Sequence, residues 1–167
     1  FYGSTARIAV ALQISSTTQN YNIYANRGGT YSSGITDVIL TVQAIVGSAG
    51  TGQYAIDTGN QWASGDTVKI INNSQIVGAG GAGGDGGTPG SQTGGTNGAS
   101  AGSAINLGID TTIQNNGGFI RGGGGGGGGG GSGTATYPDG MKGSVSQGGQ
   151  GGGGGGGAGQ NGGAGGA

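Results

Sequence analysis

Ten consecutive glycines, Gly122 to Gly131, constrain the fold of this chain more than any other feature of it. Glycine loses more backbone entropy on folding than any other residue, so such a run stays disordered unless its backbone groups are put to use. A second stretch indicates the use. In GAGGAGGDGGT the other residues, Ala79, Ala82, Asp85 and Thr88, are spaced by three, and Ala158, Asn161, Ala164 and Ala167 repeat that spacing. A period of three fits neither an α-helix nor a β-strand. It fits the polyproline II helix, which has three residues per turn, a rise of about 3.1 Å and no internal hydrogen bonds. Buried backbone N–H and C=O groups must be paired, so such helices are stable only together, each bonded to its neighbours. Glycine is then required, because a Cβ on an inward position would hold neighbouring helices apart. Gly122 to Gly131 would give a helix about 31 Å long with no side chain, expected to be surrounded by others. Ala79, Ala82, Asp85 and Thr88 are expected along an outer edge. A flexible linker is the competing reading of the composition. Collagen does not fit, because the chain has only two prolines.

The rest of the composition narrows the function classes. The chain has 167 residues and 51 glycines, 31% hydrophobic and 7% charged residues, and a formal net charge of -1. There is no basic field for nucleic acid or an anionic membrane. Disordered chains usually carry high net charge, which this one lacks. Without cysteine there is neither a disulfide framework nor a thiolate metal site. No apolar run approaches the roughly 20 residues of a membrane-spanning helix. The absence of an initiator Met suggests a piece of a longer chain.

Glycine is unevenly placed, and this predicts two domains: a β-rich connecting domain over residues 1–77 and a glycine-rich bundle over 78–167. The expected fold is thus a small all-β N-terminal segment followed by a sandwich of packed polyglycine II or polyproline II helices. In the first part ARIAVALQIS, YNIYA, DVILTVQAIV, QYAID and TVKIIN are rich in Val, Ile, Tyr and Thr and separated by turn-like stretches. DVILTVQ places Val38, Leu40 and Val42 on one face and Asp37, Ile39, Thr41 and Gln43 on the other, a half-buried strand with Ile39 as the exception. Trp62 is read as core packing, with sugar stacking as the alternative. No stretch reads as an amphipathic helix.

Two segments align as an internal repeat, INNSQIVG and IQNNGGFIRG. Asn72 and Asn73 fall over Asn115 and Asn116, and Ile76 and Val77 over Phe119 and Ile120, with glycine after both. The shared approach implies that the two glycine runs are parallel, so the connections at 89–97 and 132–147 should leave at one end. The asparagines fit a turn or a side-chain amide ladder, and the apolar pairs a small core capping the bundle.

Several tempting motifs carry nothing. GxGxxG matches arise from composition, with no Lys-Ser or Lys-Thr to make a phosphate loop. Residues 80–88 imitate a calcium-binding nonapeptide up to Asp85, but glycine replaces the aliphatic residue and no tandem copy follows. The chain has no His, Cys or Glu, which excludes the usual triads, a zinc site and a Glu general base. Asp57, Asp66 and Asp139 sit in turn-like sequence, where capping of backbone N–H groups explains them. The single Arg-Gly-Gly at Arg121 is not an RNA-binding array. No enzyme, no cofactor and no metal are expected.

SGDTVKIINNSQIVGAGGAGGDGG followed by IQNNGGFIRGGGGGGGGGG resembles the glycine-rich receptor-binding regions of tailed-phage fibres. These are the distal part of central tail-tip proteins of lambda-like siphophages and the adhesin that tips the long tail fibres of T-even-like phages. The resemblance covers residues 64–167, and the β-rich part upstream looks more like the siphophage type. It implies packed polyglycine II helices whose distal loops touch a bacterial surface receptor, an outer-membrane protein or lipopolysaccharide. It also implies a place at the distal end of a phage tail or fibre, other phage tail proteins as partners, and a homotrimer as in tail tips. Nucleic acid is not an expected partner. Specificity must lie in loops, and the candidates are Thr136, Tyr137, Pro138, Asp139, Met141 and Lys142, with Pro89, Gln92 and Asn97. An aromatic, a turn, an apolar thioether and a charge pair suit a protein surface or a glycan. Two other classes compete: an ice-binding polyproline II bundle with a flat face including Ala79, Ala82 and Thr88, and a glycine-rich structural fibre protein.

Overall fold

The structure is a computed structural model in which residues 6–87 and 94–131 are described. It consists mostly of strands in parallel sheets. Each circuit of the chain lays one strand in each of three sheets. The first circuit contains β1 (Ile8–Ile14), β2 (Thr18–Gln19) and β3 (Tyr21–Asn22), the second β4 (Thr36–Val42), β5 (Val46–Gly47) and β6 (Ile56–Asp57). The third contains β7 (Thr67–Asn72), β8 (Gln75–Val77) and β9 (Ile105–Asn106), and the fourth opens with β10 (Thr111–Asn115) and β11 (Phe119–Arg121). The sheets are ordered β1-β4-β7-β10, β11-β8-β5-β2 and β3-β6-β9, all pairings parallel. This is a parallel β-solenoid, and its coils differ in length: Ile8 pairs with Thr36, Asp37 with Thr67, and Val68 with Thr111.

The alternation read in β4 is the reason the solenoid has a core. Val38, Leu40 and Val42 are buried while Ile39 is 39% exposed. In-register pairing stacks like on like along the axis, as in Leu12, Leu40, Ile70 and Ile113. Ile14 and Val42 continue into Asn72, a fully buried amide, and then Asn115. Asn72 is satisfied there. Its Nδ2 donates to Asn115 Oδ1 (2.8 Å) and Phe119 O (3.4 Å), and its Oδ1 accepts from the Ser74 N–H (3.2 Å). Leaving such a group unpaired costs about 1–3 kcal/mol. Asn116 Nδ2 likewise donates to Asn73 Oδ1 (3.0 Å), so the expected amide ladder is present together with the turn.

Three expectations need correction. The repeat is one residue out beyond the asparagines, because Phe119 pairs with Gln75 and Ile120 with Ile76. Gly117, at φ +82, absorbs the extra residue in a backbone conformation that favours glycine. YNIYA is only briefly a strand: it turns into α1 (Ile23–Asn26), capped by the Asn22 side chain on the Ala25 N–H at 2.8 Å. The β architecture also runs past residue 77, since β9, β10 and β11 belong to the same three sheets.

Candidate functional site

Three segments, 78–87, 94–104 and 122–131, leave or rejoin the solenoid at its strands and are themselves neither helix nor strand. They bond to one another at every third residue. Gly78, Gly81, Gly84 and Gly87 donate N–H to the carbonyls of Arg121, Gly124, Gly127 and Gly130 at 2.7–3.0 Å. Gly123, Gly126 and Gly129 donate to Gly102, Ala99 and Thr96, and those three residues donate to Ala79, Ala82 and Asp85, at 2.8–3.0 Å. The ladders thus close a cycle of three. The rising register shows the first and third segments parallel, as the repeat predicted, and the middle one antiparallel.

Glycine is imposed here by close approach, not by backbone angle, since no described residue of these segments has positive φ. A Cβ on Gly123, Gly126 or Gly129 would lie 1.8 Å from the carbonyl oxygen of Ala79, Ala82 or Asp85. On Gly78, Gly81 and Gly84 it would meet the second segment at 2.0–2.2 Å, and on Gly95 and Gly98 the third at 2.1–2.3 Å. Between these rows Gly125 and Gly128 have room, with nothing nearer than 3.8 Å.

The expected order of burial is reversed. Gly78, Gly81, Gly84 and Gly87 are buried, whereas none of Gly122 to Gly131 is, and Gly122, Gly125, Gly128 and Gly131 are exposed. The all-glycine segment continues from β11, the edge strand of its sheet among the described residues, while the first continues from β8, inside it. Ala82 and Asp85 are exposed as expected, but Ala79, at the base of its segment, is 3% exposed.

The far ends come together: Gly87 bonds to Gly130, and Gly95 lies against Gly129. Of the candidate recognition residues, Asn97 is exposed in the returning segment rather than in the connection before it. Pro89, Gln92, Thr136, Tyr137, Pro138, Asp139, Met141 and Lys142 lie outside the described residues, as does Thr88. Trp62 is used for packing. Its indole N–H donates to Thr58 O (2.8 Å), and it meets Tyr24 and Tyr31 edge-on at 4.9 and 5.9 Å, with the Arg27 guanidinium 3.5 Å from the Tyr24 ring centre.

Asp66 ties two coils together. Burial alone would raise its pKa, but N–H groups of Thr36, Ala63 and Gly34 and the Tyr31 hydroxyl donate to it and hold it below the ordinary value. Asp57 belongs to a polar column that the sequence reading missed. Asn22, Asp57 and Asn106 occupy matching positions on β3, β6 and β9. Asn22 Nδ2 and Asn106 Nδ2 donate to the two Asp57 oxygens at 3.1 and 3.0 Å, and the Gly59 N–H adds a third bond at 3.0 Å. The signal was there in Tyr-Asn, Ile-Asp and Ile-Asn, an apolar residue followed by Asn or Asp once per coil. Among the described residues no group of three or more acidic, His or Cys side chains could hold a metal ion.

The described part of the chain is thus a solenoid that carries three mutually hydrogen-bonded glycine segments with converging ends. The family model described as phage tail fibre adhesin Gp38 matches residues 9–167, and the chain belongs to that family. It is a non-enzymatic receptor-binding protein of the phage tail fibre, and so a part of the virion. Its fold is similar to that in the crystal structure of the gp37-gp38 adhesin tip complex of the bacteriophage S16 long tail fiber. The TM-score is 0.50 at 20% identity, over 96% of this chain and 74% of that one. No curated protein sequence matches the chain. Because the family match begins at residue 9, the β-rich part belongs with the adhesin too.

Proposed function

We propose that the three glycine segments are polyglycine II helices that hold receptor-contacting connections away from the solenoid. The observation that carries this reading is the closed cycle of hydrogen bonds at every third residue, the period of a polyproline II-type helix. The described ends of the three segments lie together, Gly87 bonded to Gly130 and Gly95 against Gly129. That end is the recognition surface in this reading, with Tyr137, Met141 and Lys142 as anchors and Thr136, Pro138, Asp139, Pro89, Gln92 and Asn97 around them. The receptor is an outer-membrane protein or lipopolysaccharide. Residues 78–87, 94–104 and 122 onward form the recognition part, and the β-solenoid the connecting part. The S16 structure is a complex with gp37, and by analogy the solenoid side of this chain attaches to a fibre protein at the fibre tip. Purified protein added to host cells should compete with the phage for adsorption, and the receptor should be retained on the immobilised protein from solubilised outer membrane. Unimpeded infection at saturating protein would refute the reading.

A further inference from the structure

We propose that the polar column of the third sheet is a second binding site, for a neutral saccharide, separate from the distal connections. A cleft of about 280 Å³ opens beside the column, lined by Asn22, Asp57 and Asn106 with Tyr24, Asn60 and Gln61. Its size is just under the roughly 300–1,000 Å³ of small-molecule sites, which suits one sugar ring. A second cleft of about 220 Å³ shares Asn22 and Asp57 and adds Gln53 and Tyr54. Two clefts with a common wall give room for adjacent rings.

The chemistry selects the ligand. The lining offers side-chain amides, one carboxylate and two tyrosines, and no Lys or Arg, so it pairs with hydroxyls and repels phosphate or sugar acids. A cation fits badly, because the Asp57 oxygens already accept three N–H groups, two of them from the Asn22 and Asn106 amides, which leaves the amides of Asn60, Gln61 and Gln53 to meet hydroxyls. A peptide would want apolar pockets, which the lining lacks. Sugar rings instead present hydroxyls at their edges and C–H groups on their faces, matched by amides and by tyrosine rings. Tyr54 is 38% exposed, and Tyr24 is held by Arg27 and Trp62, so one aromatic wall is set before a ligand arrives. The second cleft is braced by Asn20, a non-glycine residue at φ 51 whose side chain accepts from the Ala49 N–H (2.9 Å) and donates to Gln53 (3.0 Å).

This site does not depend on the distal reading; only the source of the saccharide, the host surface, is taken from the adhesin function. The test is saturation-transfer NMR on the whole chain with methyl α-glycosides of glucose, galactose and mannose, with maltose and lactose, and with N-acetylneuraminic acid as the acidic control. At least one neutral sugar should bind and the acid should not. Tyr54→Ala and Gln61→Ala, both exposed and outside the column, should weaken binding about fivefold or more, and Asp57→Asn about tenfold. Tyr137→Ala should leave it unchanged. The proposal is overturned if no neutral sugar binds, if the acid binds preferentially, if Tyr54→Ala and Gln61→Ala both bind normally, or if Tyr137→Ala abolishes binding.

Discussion

Gly125 and Gly126 are neighbours in an unbroken glycine run, yet alanine at the two positions should have opposite effects. A Cβ on Gly126 would stand 1.8 Å from Ala82 O and 2.5 Å from Ala82 C, both backbone atoms that cannot rotate away. Restoring ordinary contact of 3.4 Å would move the first and third segments about 1.6 Å apart. The bonds Gly81 N–H to Gly124 O (2.9 Å) and Gly84 N–H to Gly127 O (2.8 Å) flank that contact and would break. With two buried donors left unpaired at about 1–3 kcal/mol each, Gly126→Ala should cost about 4 kcal/mol. For a chain of this size that is about 8–16 °C in Tm. At Gly125 the nearest atom to a new Cβ is 3.9 Å away and φ is not positive. Alanine there should be neutral, or stabilise by about 0.4–1 kcal/mol through the unfolded chain. Calorimetry and urea titration of the two variants decide the matter. Equal Tm values would mean that the run is a linker, and the period-three ladder would fall.

Two further outcomes concern the solenoid. Asp66→Ala strips the partner from three backbone N–H groups and the Tyr31 hydroxyl and should destabilise by about 3 kcal/mol or more in urea. Asp37 is held to a pKa of about 2, first by the Arg7 guanidinium, whose Nε and Nη2 each donate to it at 2.7 Å, and then by the Thr67 hydroxyl. Because the folded-state pKa is depressed, its contribution is present above the ordinary carboxyl value near pH 4 and is lost as pH falls toward 2. Asp37→Asn should therefore flatten the acid limb of the stability profile below pH 4, by an amount that shrinks in salt.

What could be read from the sequence follows a physical boundary. The alternation of Val38, Leu40 and Val42 was legible because one face of β4 is buried and strand periodicity is local. The parallel course of the two glycine runs was legible from Asn72 over Asn115, which do pair. Coil closure was not: β2, β3, β5, β6 and β9 are two residues each, too short for any period, and their role is set by neighbours a coil away. The same limit hid the Asn22, Asp57 and Asn106 column. Which glycine segment lies inside also escaped the sequence. A run without side chains carries no outward mark, and burial depends on whether its parent strand is β8 or the edge strand β11.

The central claim is that recognition sits at the joined ends of the glycine segments. Its most direct test is the adsorption of purified protein to host cells, with the Tyr137→Ala, Met141→Ala and Lys142→Ala substitutions combined. An anchor cluster is worth about 2 kcal/mol or more, roughly thirtyfold in affinity, so adsorption should fall at least that far while Tm stays unchanged. Normal adsorption by the triple variant would contradict the account.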